Sequence, residues 1–102
     1  MIIDAHMHYA DDHPDLLALL AEYDLKFLNI CVVALPQIEW HDAAALYDAM
    51  SDSHPNRYAW ATTFADPDFI DPTWHDNTLA QIDADFARGA IACTRCSGPI
   101  AV

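Results

Sequence analysis

Met1-Ile2-Ile3-Asp4-Ala5-His6-Met7-His8-Tyr9 is the stretch from which the rest of the chain is read. Ile2 and Ile3 open a strand, and two histidines stand two residues apart at its far end. Side chains alternate across a strand, so the pattern predicts that Asp4, His6 and His8 share one face. Ile3, Ala5 and Met7 then take the other. Two neighbouring imidazoles are costly to bury without partners. A divalent metal that takes one nitrogen from each ring removes that cost. The spacing fits equally a pair of hydrogen-bonded strand-end histidines, so context must decide.

That context is a β/α rhythm. Asp12 is placed to cap a helix with Pro14 in its first turn, and Leu16, Leu19, Leu20 and Tyr23 form one helical face. Phe27 to Ala34 is apolar on both faces, as a covered parallel strand is. Pro36 ends it. Ala43, Leu46, Tyr47 and Met50 repeat the helical spacing until Ser53-His54-Pro55-Asn56 breaks it. Arg57 to Ala65 reads as a third strand with Tyr58, Trp60, Thr62 and Phe64 along one side. Asp71-Pro72 repeats the cap-then-proline signature before a third helix carrying Leu79, Ile82 and Phe86. Gly89 is placed to stop that helix, and Ala90 to Cys93 begins a fourth strand. Strand starts near residues 2, 27, 58 and 90 have the period of parallel crossover units. From Thr94 to Val102 neither strand alternation nor a helical face continues.

Composition narrows the function classes. One hundred and two residues, 54% hydrophobic with two glycines, make one packed domain. A formal charge of −12 with four Lys and Arg argues against nucleic acid and anionic membrane surfaces. No apolar run reaches the roughly 18 residues that span a bilayer, and no basic-then-apolar leader opens the sequence. Three cysteines do not make a disulfide framework. These features predict a cytoplasmic protein with reduced thiols.

Asp4-Ala5-His6-Met7-His8 on a first parallel strand resembles the D-x-H-x-H opening of the amidohydrolase superfamily. The nearest branch is the amidohydrolase-related group of metal-dependent hydrolases. Arg57 to Thr63 and Phe86-Ala87-Arg88-Gly89-Ala90 are similar to later stretches of that group. The resemblance covers roughly residues 1–93 and leaves 94–102 as an atypical tail. It implies an α/β chain whose parallel β/α units form the N-terminal part of a (β/α)8 TIM barrel, about three and a half units of a fold of about 250 residues. It further implies that His6 and His8 ligate a divalent metal, zinc foremost, that activates water for attack on a carbonyl-type, small-molecule substrate. The family's later-strand histidines and aspartate have no counterpart here. A single-base frameshift near Thr94 would explain the compositional break, and predicts that DNA beyond codon 93 encodes the remaining barrel in another frame. Open sheet edges would then favour self-association. The alternative is a small acidic α/β module that binds a partner without catalysing a reaction.

Other residues carry weaker expectations. Trp40 can line a pocket or anchor a helix start. His41 reads as a surface histidine near the substrate side, and Asp66 as turn chemistry at the end of the third strand. His13, His54 and His75 are given no functional role. Cys93-Thr94-Arg95-Cys96 has C-x-x-C spacing without the helix or second cysteine pair that redox or zinc chemistry needs.

Overall fold

The computed structural model describes residues 1–9, 11–33 and 40–94. Its elements are β1 (Ile2–Met7), α1 (Pro14–Glu22), β2 (Leu25–Ile30), α2 (Trp40–Ser53), β3 (Tyr58–Thr62), α3 (Trp74–Arg88) and β4 (Ala92–Cys93). The four strands form one curled sheet in the order β1-β2-β3-β4, and every neighbouring pair is parallel. The β/α alternation read from hydrophobic spacing is thus present. The C-terminal segment beyond Thr94, with Cys96, lies outside the described residues, as do Ala34 and Pro36.

The three helices lie on one face of the sheet. Phe27 and Tyr58 meet α1 and α2 around Leu20 and Met50. Cys31 and Trp60 meet α2 around Trp40, Ala43, Ala44 and Tyr47. Thr62, two residues beyond Trp60, meets α3 through Asp85. Leu28, Ile30, Ala59, Ala61 and Thr63 alternate with these residues and so belong to the helix-free side. All five residues of β3 are buried, as expected of a strand with neighbours on both edges.

Local chemistry departs from the predicted caps at two helix starts. Asp12 does not cap α1. His13 is the N-cap, its Nδ1 accepting the Asp15 N–H at 3.1 Å, and Pro14 takes the first helical position. The Asp12 carboxylate instead meets His54 Nε2 at 3.2 Å. Before α3, Asp71 closes its own turn by accepting from the Thr73 N–H and hydroxyl, at 2.8 and 2.6 Å, and Thr73 occupies the cap position. Those two bonds hold the Asp71 carboxyl below its ordinary pKa. A carboxylate two residues ahead of a backbone N–H competes for it before a helix can use it.

The helical faces are narrower than their spacing implied. Leu20, Ala43, Tyr47 and Met50 are buried, whereas Leu19, Tyr23, Leu46, Leu79 and Phe86 are exposed. On α3 the inward face is Thr78, Gln81, Ile82 and Asp85, mostly polar. The second strand begins at Leu25, earlier than its apolar run suggested, because Leu25 and Lys26 already pair with Ile2 and Ile3 of β1. Arg57 donates to Asp24 Oδ1 and Leu25 O, both at 3.1 Å, and holds the Asp24 carboxyl below its ordinary value.

Gly89 ends α3 with φ of 140°, a conformation that favours glycine. A Cβ there would stand 3.0 Å from Asp48 Oδ1. Gly89→Ala is therefore expected to lower unfolding stability by about 1 to 2 kcal/mol in urea titration. Burial pushes the Cys31 thiol up to about 12 from an ordinary 9.0, with Asp85 adding to the rise. Cys31 is fully buried and Cys93 exposed. Burial and Asp85 raise the Cys93 thiol as well. Peptide-mapped alkylation near pH 8 should therefore label Cys93 in the folded chain, more slowly than a free thiol, and Cys31 only after unfolding. A thiol whose folded value is raised stabilises the fold below its unfolded value and loses that contribution as pH rises through the folded one. The Cys31 contribution should accordingly fade between about pH 9 and pH 12.

Candidate functional site

β1 is not a regular strand. Asp4 pairs with Phe27 and Met7 with Asn29, so three steps on β1 match two on β2. Such a bulge resets the alternation of faces. The predicted common face of Asp4, His6 and His8 is corrected accordingly. Asp4 stands opposite Phe27, on the α1 side, and its Oδ1 accepts the His6 backbone N–H at 3.2 Å. His6 and His8 do stay together, their ring centroids 5.1 Å apart and the planes nearly perpendicular at 87°.

His8 is oriented by its neighbour strand. Its Nδ1 lies 2.8 Å from Ile30 O. A carbonyl can only accept, so Nδ1 carries a proton, and in the neutral ring Nε2 keeps its lone pair. One residue further on, Tyr9 N–H donates to Asn29 Oδ1 at 2.8 Å. Asn29 is fully buried, and its Nδ2 has no partner among the described residues. The end of β1 is thus tied to β2 by one side chain from each strand.

Both histidines are exposed. Among the described residues, no group of three or more His, Cys, Asp or Glu is placed to hold a metal ion. The pair therefore supplies two imidazoles at the C-terminal end of the first strand. Parallel α/β sheets bind ligands at that end of their strands.

A second feature opens at the same end, beyond β2 and β3. Trp40, His41, Ala65, Asp71, Trp74 and Gln81 line a groove of about 220 Å³. Trp40 fills both roles its sequence position offered: it is buried in the α2 core and lines the groove. The His41 ring stacks on it with centroids 3.7 Å apart. His13 and His54 act within the fold, as helix cap and partner of Asp12.

Sequence reasoning missed the polar system behind the groove. Asp85 is buried, and its Oδ2 accepts from Thr62 Oγ1 and Gln81 Nε2, each at 2.6 Å. Arg88 donates to Asp85 Oδ1 at 3.2 Å and lies over the Trp60 ring at 5.2 Å. Trp60 Nε1 in turn donates to Asp48 Oδ1 at 3.3 Å. The available signal was the spacing Trp74, Thr78, Gln81, Asp85, one inward stripe that the apolar reading of α3 passed over.

Comparison of the chain with protein-family models, with curated proteins and with solved structures returned no match. No helix among the described residues is long and apolar enough to cross a membrane.

The Asp85 system joins α3 to β3, so removing its carboxylate should be felt as stability. Asp85→Ala removes the short acceptor of the buried Thr62 hydroxyl, leaving it only the Thr63 carbonyl at 3.3 Å, and should cost about 1 to 3 kcal/mol. Thr62→Val in the Asp85→Ala background should add little further loss. Additive losses in a double-mutant cycle would show that the two groups act separately.

Proposed function

We propose that this chain is the N-terminal β/α part of an amidohydrolase-type, metal-dependent hydrolase, with His6 and His8 as first-strand ligands of a divalent ion, zinc foremost. The observation that carries the reading is the His8 tautomer: Nδ1 is held by Ile30 O, which leaves Nε2 as a donor next to the His6 ring. Metal-bound histidines commonly have their second nitrogen fixed in this way, often by a backbone carbonyl. Four parallel strands in consecutive β/α units support a partial (β/α)8 barrel as the wider architecture.

The donor set fits zinc in kind. Two neutral imidazoles make two of the three or four protein ligands such a site takes, and the remaining ligands come from residues beyond this pair. Zinc supplies Lewis acidity toward water and toward a carbonyl-type substrate. The chain's own part is positional. Asp4 fixes the His6 backbone, Ile30 fixes the His8 ring, and Asn29 holds the first residue after the pair.

The test uses two independent readouts. Nitrogen-15 imidazole shifts of the metal-free protein should report His8 protonated at Nδ1. Zinc titration should show uptake that falls about tenfold or more for His6→Ala and for His8→Ala. A His8 ring protonated at Nε2 alone, or zinc uptake indifferent to both substitutions, would sink the hydrolase reading. A monomer that binds no zinc but retains a partner protein would favour the binding-module alternative.

A further inference from the structure

The groove between the starts of α2 and α3 shares no residue with the histidine pair. Three rings line it: Trp40 and His41 from the first turn of α2, and Trp74 from the first position of α3. Trp40 is nearly covered by its own core, whereas Trp74 keeps part of its surface open. Phe64 meets the Trp74 ring edge-on, with 6.3 Å between centroids, which holds the indole in place. At about 220 Å³ the groove is smaller than the roughly 300 Å³ at which drug-sized ligands begin to be held, so its occupant is small.

The polar groups around these rings are mainly acceptors. Asp71 receives both of its bonds from Thr73 on Oδ1, which leaves Oδ2 for a ligand. The two N–H groups of the Gln81 amide go to Asp85 Oδ2 and Thr63 O, at 2.6 and 3.1 Å. A carbonyl oxygen is what that side chain has left. Asn77 gives an N–H to Thr73 Oγ1. No Lys or Arg stands among the described residues that line the groove.

The two helix starts weigh the other way, since each carries about half a positive charge. Asp42 and Asp76 in the first turns, with Asp71 ahead of α3, outweigh that sum. The chain as a whole adds a formal −12, a field that draws cations and repels anions. A primary ammonium wants three acceptors for its N–H groups. A methylated ammonium wants none, and its charge sits under an apolar shell that rests on ring faces.

We propose that this groove binds a small N-methylated ammonium ion, with its methyl groups against Trp74 and Trp40 and its charge beside Asp71. The site does not depend on the zinc reading.

The experiment follows the indole N–H resonances of the three tryptophans in nitrogen-15 spectra while choline is added at constant ionic strength. Choline should move Trp74 most and Trp40 less, and leave Trp60, fully buried and outside the groove, where it is. Its uncharged carbon isostere, 3,3-dimethylbutan-1-ol, should bind at least about fivefold more weakly. Asp71→Asn keeps an oxygen that can accept from Thr73, and should erase that preference. The comparison of the two ligands on the unaltered chain stands even if the variant fails to fold. Equal binding of choline and the alcohol would mean a groove indifferent to charge, and overturns the proposal. A Trp74 shift produced by inorganic phosphate and not by choline would mean that the helix starts govern the site, and overturns it too. So does a Trp74 resonance that choline never moves. Zinc uptake at His6 and His8 bears on none of these outcomes.

Discussion

The fold depends on how the Trp60 ring is enclosed. Trp60 sits in the middle of the one strand buried along its whole length, and every later element touches it or its neighbours. α2 packs Ala43, Ala44 and Tyr47 around it, small residues beside one large one, so the helix can approach the sheet closely. Arg88 covers the ring from the end of α3, and the turn at Gly89 passes close to its indole nitrogen. An aromatic ring of this size contributes more burial than any other side chain, yet its N–H must still find an acceptor. Asp48 is that acceptor, which fixes the rotation of α2 about its own axis. Helix position, helix rotation and the start of β4 are all set around one indole.

A second constraint lies one pleat further along β3. Thr62 carries a hydroxyl into a buried position, and α3 answers with a carboxylate rather than a hydrocarbon. This explains why α3 has few apolar residues on its inward face and why Leu79 and Phe86 are left exposed. It also separates the two halves of the helix layer. α1 is held by hydrocarbon packing around Leu20 and Met50, which tolerates small shifts, α2 by that packing and the one bond from Trp60 to Asp48, and α3 by a set of short directional bonds.

The order of elements was legible because periodicity and punctuation agreed: Leu16 to Leu20, Ala43 to Met50, and Gly89 as a stop. The histidine pair was legible as well, since two like residues at strand spacing stay together even when the strand is irregular. What could not be read was the bulge between Asp4 and Met7, because it is imposed by register against β2 and has no local signature. Asp4 was therefore assigned to the wrong face. The caps failed for a related reason. Asp12 and Asp71 are good cap residues by type, but each found a nearer or better-placed partner, which only the folded chain supplies. The Asp85 system was hidden because its stripe is polar, and a search for apolar faces does not see a helix that packs by hydrogen bonds.

The tether between Asn29 and Tyr9 has a consequence for how this chain can change over generations. Segments that follow a strand are ordinarily where insertions accumulate, since they bear little on the core. Here the first residue after the histidine pair is held by a buried side chain of the adjacent strand. A length change before Tyr9 would therefore misalign the two strands, whereas one placed after it would leave them in register. Variation in the first loop is thereby confined to the stretch between Tyr9 and the His13 cap. The histidine pair is insulated from it, so novelty in this region can alter the loop's outer part without moving the two imidazoles.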